Sequence, residues 1–83
     1  MAAERERADR ERRELRKDLK AMEKRIEGME SRRGAIDADL SDPAVLADSG
    51  RVQALMVERA ELSDDLSETY DQWESLSLRL TGN

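Results

Sequence analysis

The chain has 83 residues, of which 42% are charged, and it has no Cys, no His and a net charge of −5. A chain of this length forms one small domain, and without imidazole or thiol groups it lacks the usual general base, thiol nucleophile, soft metal ligands and disulfides. No apolar run approaches the roughly 20 residues that cross a bilayer, and the charged start does not resemble a signal peptide, so we expect a soluble, cytoplasmic protein that does not contact membranes.

The first predicted element is a long helix over residues 13–40, preceded by a frayed helix start or linker end over residues 1–12. Its apolar positions alternate steps of four and three residues, which keeps one seam on one side of a helix. Gly28 and Gly34 lie within this helix but away from the seam. The seam comprises Leu15, Leu19, Met22, Ile26, Met29, Arg33, Ile36 and Leu40.

The heptad pattern stops in a turn that we place at residues 41–50. Asp42 suits a helix N-cap and Pro43 suits the first helical position, so the segment LSDPAVLAD predicts a helix end followed by one short helical turn. Val45 and Leu46 are expected to cap this end of the molecule.

A second long helix is predicted over residues 51–80, with the same alternation of steps. Two such stripes joined by one short break predict an all-α fold, an antiparallel two-helix coiled-coil hairpin with a short helical turn at its tip. The second seam comprises Val52, Leu55, Arg59, Leu62, Leu66, Thr69, Trp73, Leu76 and Leu80.

Charges beside the seams favour pairing within one chain. A register with Leu40 opposite Leu55 brings oppositely charged side chains together at most flanking positions. The competing arrangement, a parallel homodimer of the first helix, would pair the charges of that helix but not those of the second. Separately, apolar side chains at the edge of the hairpin, such as Met56 and Tyr70, could join two hairpins in a weak homodimer. The expected pairs are Asp39 with Arg51, Arg32 with Glu58 and Asp65, Arg25 with Asp65, and Asp18 with Arg79.

Charge is divided unevenly along the chain. Residues 1–33 hold 12 Lys and Arg against 9 acids, whereas residues 34–83 hold 3 against 11. Five cations of the first half recur at steps of three and four on the helix face opposite the seam, where each can neutralise a phosphate and release counterions. The alternative is a solvated face whose cations pair with Asp9, Glu14 and Glu23. We define the basic row as Arg10, Arg13, Lys17, Lys20 and Lys24.

The other candidate residues have structural interpretations. Tyr70 and Trp73 are the only aromatic residues, and their positions at or beside the seam favour packing over base stacking. Arg33 and Arg59 occupy seam positions and should extend toward acids such as Asp37 or Asp65. The acidic group at residues 61–68 lacks the ligand order of a calcium loop and predicts no metal site.

Two segments, LSDPAVLAD and ETYDQWESLS, together resemble the C-terminal domain of ABC-F type ATP-binding-cassette ATPases. Leu46 departs from the pattern, because the family often has Tyr there. The residues that match the turn motif and the closing motif of that family are Leu40, Asp42, Pro43, Tyr70, Trp73, Glu74 and Leu76.

This resemblance implies a non-catalytic arm of a soluble, ribosome-associated ATPase, binding DNA or ribosomal RNA. ATP and magnesium would belong to domains N-terminal to this segment. The chain itself has no GxxxxGK[ST] loop, so we predict that it is not an enzyme and holds no cofactor. The sequence does not distinguish DNA from RNA as the ligand, because a row of charged side chains contacts phosphates rather than bases. The alternative function is a structural coiled coil that packs on its own ATPase domains or on a protein partner.

Overall fold

The computed structural model describes residues 1–82 as two long helices and one short helix: α1 (Ala2–Asp39), α2 (Pro43–Leu46) and α3 (Ser49–Thr81). Helices α1 and α3 pack against each other, α2 packs on α3, and the molecule measures 67 × 15 × 15 Å. The predicted all-α hairpin with a short helix at its tip is therefore confirmed. None of the three helices described over residues 1–82 contains an apolar stretch of the length that a membrane span requires.

Helix boundaries differ from those expected from the sequence. Helix α1 begins at Ala2 rather than at residue 13, because Ala, Glu and Arg are strong helix formers and continue the helix without a seam partner. All residues from 1 to 14 are exposed, so this first part of α1 contributes little to the hydrophobic core. Helix α3 spans Ser49–Thr81, two residues earlier and one later than predicted.

Two aspartates set the geometry of the tip. The backbone N–H of Ala44 donates to Asp42 Oδ1 at 2.9 Å, and Pro43 is the first residue of α2, as predicted. The backbone N–H of Arg51 donates to Asp48 Oδ1 at 3.1 Å, which makes Asp48 the N-cap of α3. An N-cap carboxylate satisfies a backbone donor that has no partner within the helix, so α3 begins at Ser49.

The hydrophobic core is densest beside the tip. Ile36 is fully buried and packs with Val45 and Leu55, while Leu40, Val52 and Leu62 pack around this group. Val45 caps the core as expected, but Leu46 is 52% exposed and does not, because it lies on the outer side of the single turn of α2. Other buried seam residues are Leu19, Ile26, Leu66 and Thr69.

Ion pairs between α1 and α3 match part of the predicted register. Arg32 Nε lies 2.6 Å from Glu58 Oε2, and Arg51 Nη2 lies 3.6 Å from Asp39 Oδ2, as predicted. Within residues 1–82, the predicted pairs of Asp65 with Arg32 and Arg25, and of Asp18 with Arg79, are not formed. Long side chains at an exposed surface gain little from such contacts, so charge alone does not order them.

The ion pairs predict that acid destabilises the hairpin. Hydrogen bonding from Arg32 lowers the pKa of Glu58, and hydrogen bonding from Arg59 lowers the pKa of Asp37. A carboxyl group whose pKa is lower in the folded chain stabilises the fold above its unfolded pKa, and this contribution is lost as the pH falls through the folded pKa. We expect the free energy of unfolding to decrease below about pH 4.5.

Urea unfolding followed by circular dichroism from pH 7 down to pH 3 measures this dependence. The double variant Arg32→Gln/Arg59→Gln should show a shallower decrease than the wild-type chain. The variant Arg12→Gln/Arg16→Gln has the same net charge but changes two exposed residues outside the ion pairs, so its profile should follow the wild type. Equal profiles for the two variants would contradict the assignment.

Candidate nucleic-acid interface

The basic row lies along the outer face of α1, on the side opposite the residues that bury against α3. All five side chains of the row are exposed. Residues three and four apart share one face of a helix, and at a rise of about 1.5 Å per residue the row is about 21 Å long from Arg10 to Lys24. The five cations therefore form one continuous, solvent-facing strip.

No cation of the basic row forms an ion pair with an acid in the part of the chain that the structure describes. The ion pairs over residues 1–82 involve Arg32, Arg51 and Arg59. The acids proposed as local partners, Asp9, Glu14 and Glu23, are exposed beside the row but lie beyond 4 Å from its charged nitrogens. The positive charge of the row is thus available to an external anion.

Arg10 differs from the other members of the row. It also borders a groove at the open end of the hairpin, which is lined in part by Leu15, Leu76 and Arg79. The side chain of Arg10 therefore lies at the edge of the row and closer to the seam than its position on the helix predicts. Residues 13–24 contain the uniform part of the row.

Both aromatic residues of α3 bridge to α1. Trp73 is half-buried, in agreement with its seam position, and its Nε1–H donates to Glu23 Oε1 at 3.2 Å. Tyr70 is 43% exposed, more than packing at the seam would give, and its hydroxyl donates to Glu30. These two hydrogen bonds were not predicted. The expected register also brings Met22 opposite Trp73, so the contact between Glu23 and the indole could have been predicted from it.

The two seam arginines remain outside the candidate interface. Arg59 is half-buried, and its Nε lies 2.5 Å from Asp37 Oδ1, which confirms one of the two acids predicted as its partners. Arg33 is also half-buried. The side chains of both arginines occupy seam positions. The guanidinium group of Arg59 extends to the surface and pairs with Asp37, so Arg59 joins the two helices rather than binding a ligand.

A family model described as the ABC transporter C-terminal domain matches residues 10–78, which is most of the chain. The chain belongs to this family. Comparisons with curated proteins and with solved structures gave no match.

Membership in the ABC transporter C-terminal domain family identifies the chain as a non-catalytic C-terminal arm. The matched range begins at Arg10, the first residue of the basic row, and ends at Leu78. It therefore includes the basic row, the Asp-Pro tip and the aromatic pair. The residues before the match are the exposed first part of α1.

Proposed function

We propose that this chain binds the phosphate backbone of a nucleic acid through the basic row. The proposal is supported by five exposed cations that share one helix face over about 21 Å, none of which forms an ion pair within residues 1–82. Duplex DNA carries one negative charge per about 1.7 Å of its axis, so a row of this length passes about a dozen phosphates.

The negative charge of the whole chain does not prevent this contact. Residues 34–83 hold most of the excess acids, and the acids of α3 lie on the other helix of a rod about 15 Å thick. The Debye length at physiological salt is about 8 Å, so acids on the far side are largely screened from a phosphate at the basic row. The rod would therefore bind with α1 toward the nucleic acid and α3 away from it.

Contact through this row would be insensitive to base sequence. Lys and Arg at an exposed helix face contact phosphates, and sequence is read by contacts to base edges or by the shape of the nucleic acid. Both aromatic side chains lie at the interhelix groove rather than in the row, so they are not placed to stack on the same nucleic-acid strand. Binding should depend on charge density and backbone geometry.

The resemblance noted in the sequence supports further proposals about the parent protein. We propose that the arm belongs to a cytoplasmic ABC-F type ATPase that associates with the ribosome, with ATP and magnesium bound by other domains. Ribosomal RNA and DNA both offer the phosphate density that the basic row requires. A weak homodimer through exposed apolar side chains such as Met56 is compatible with this function because α3 does not face the nucleic acid.

Salt titration of binding tests the proposal. We expect the 83-residue chain to bind duplex DNA with an affinity that falls with salt at a log–log slope of about −4.5 if all five cations meet phosphates, and about −3.5 for a single strand. Fluorescence anisotropy with labelled duplex DNA, single-stranded DNA and structured RNA measures the three slopes in parallel. Absence of binding at low salt, or an affinity that does not change with salt, would contradict it.

A second candidate function is a protein-interaction coiled coil that packs on its own ATPase domains or on a protein partner. It is favoured by the apolar side chains that α3 exposes, because Met56, Val57 and Leu78 are each more than half exposed. Contacts of this kind bury apolar surface and change little with salt. The same titration therefore distinguishes the two functions.

A further inference from the structure

A shallow groove between α1 and α3, separate from the basic row, combines aromatic rings with carboxylates. Ile26 and the two rings supply its apolar surface, and three glutamates of α1 follow one another along its edge at steps of four and three residues. We call it the aromatic groove. Its lining residues are Glu23, Ile26, Glu27, Glu30, Tyr70 and Trp73.

Hydrogen bonds between the helices hold the rings and the carboxylates together. The Trp73 indole donates to Glu23 and the Tyr70 hydroxyl donates to Glu30, so each ring is tied to the helix across the groove. A carboxylate has two oxygens and about four acceptor positions, so one donated hydrogen bond leaves it with capacity for further donors. The groove therefore presents carboxylate acceptors beside two aromatic rings.

No ion pair within residues 1–82 neutralises the carboxylates of the aromatic groove, although the positive charge of Arg33 acts on Tyr70 at its edge. Over the described residues, 1–82, Glu23, Glu27 and Glu30 form no ion pair with Lys or Arg. The facing helix adds no cation, since residues 60–78 contain six acids and neither Lys nor Arg. The hydrogen bond to Glu30 also raises the pKa of Tyr70, as expected for a phenol beside a carboxylate.

We propose that the aromatic groove binds an arginine side chain of a protein partner. A guanidinium group is planar, stacks on aromatic faces, is weakly hydrated and donates paired hydrogen bonds to carboxylates, so it matches both components of the groove. An ammonium group is a compact, strongly hydrated point charge and matches only the carboxylates. Phosphate is repelled here, so the ligand differs from that of the basic row and the inference stands independently of the proposed function.

Tryptophan fluorescence gives a direct readout, because Trp73 is the only tryptophan of the chain. The probe is the acetylated, amidated pentapeptide Ala-Arg-Ala-Arg-Ala, titrated into the 83-residue chain at low salt. We expect a saturable change in emission. The peptide with citrulline in place of arginine keeps the shape and hydrogen-bond donors but loses the charge, and should bind at least about tenfold more weakly, as expected when a charge-assisted pair is lost. The lysine peptide should bind more weakly than the arginine peptide.

The variant Glu23→Gln/Glu27→Gln/Glu30→Gln removes the charges but keeps carbonyl oxygens that can accept from the indole and the phenol. We expect it to lose at least about tenfold in affinity for the arginine peptide, because charged hydrogen bonds are replaced by neutral ones. Its matched control is Glu61→Gln/Asp64→Asn/Glu68→Gln, which makes the same change in net charge at exposed positions of α3 outside the groove. Circular dichroism shows whether both variants keep the wild-type helicity.

Three results would overturn the proposal. The first is no change in emission with the arginine peptide, and the second is an equal loss of affinity in the two variants, which would indicate general electrostatic attraction. The third is a dimer in the absence of peptide. If light scattering gives twice the monomer mass for the wild-type chain but the monomer mass for the variant with three glutamines, a second copy of the chain occupies the groove. Selective loss in the groove variant, with a monomeric chain, supports a partner's arginine.

Discussion

The variant Arg13→Glu/Lys17→Glu/Lys20→Glu/Lys24→Glu is expected to bind nucleic acid at least about 4,000-fold more weakly than the wild-type chain at about 0.1 M salt. Each phosphate contact contributes about 0.9 to the salt slope, which at this salt concentration is close to a tenfold contribution to affinity. Four contacts are lost, and four new carboxylates repel the backbone. Arg10 is kept because it lies at the edge of the row, beside the groove at the open end.

The variant with Gln at the same four positions separates loss of contact from repulsion. Its salt slope on duplex DNA should fall to about −0.9, the value for one remaining contact. A matched control reverses four other exposed arginines that form no ion pair within residues 1–82, namely Arg5, Arg12, Arg16 and Arg25. If the control loses as much affinity as the first variant at equal net charge, the phosphates do not bind specifically along the basic row.

Replacement of Ile36 by Ala is expected to have the largest effect of any single core substitution on stability, about 3 kcal/mol. Ile36 is the one side chain within residues 1–82 that is completely buried, and it packs with Val45 of α2 and Leu55 of α3. Its removal leaves a cavity where all three helices meet. A domain of this size has a free energy of unfolding of about 4–12 kcal/mol, so the loss is a large part of the total.

Urea unfolding at neutral pH measures the effect. The conservative variant Ile36→Val should lose only about 0.5–1.5 kcal/mol, because it removes one methylene group. Leu78→Ala provides the exposed control, since Leu78 is 61% exposed and its truncation should change stability by less than about 0.5 kcal/mol. Equal unfolding midpoints for Ile36→Ala and Leu78→Ala would show that the core beside the tip does not contribute most to the free energy of unfolding.

The seam was predictable because heptad periodicity is a local property of the sequence. The apolar seam positions from Leu15 to Leu40 and from Val52 to Leu80 are buried or half-buried in the structure, as the alternating steps indicate. The Asp42 cap was also predictable, since an N-cap requires only a short polar side chain and the backbone two residues later. Such features depend on neighbours within one or two helical turns.

Side-chain pairs across the helices were less predictable. Arg32 with Glu58 and Asp39 with Arg51 follow from the register, whereas Arg25 with Asp65 follows equally well and is not formed within residues 1–82. A shift of a few ångströms in axial position or rotamer decides which long side chains meet, and exposed pairs have too little energy to impose the shift themselves. Residues 1–12 have no seam, so the sequence left a frayed helix start and a linker end as alternatives, whereas helix propensity alone continues the helix from Ala2.

The two-helix hairpin and the row of five cations opposite the seam were predictable from helical periodicity, and the Asp-Pro tip was predictable from capping preferences. The placement of the aromatic side chains depends instead on the packing of the two helices. Tyr70 and Trp73 are 40 and 50 residues from the glutamates they contact, and only the packing of α3 on α1 brings these groups together. The basic row belongs to one helix, whereas the aromatic groove exists only where two helices meet.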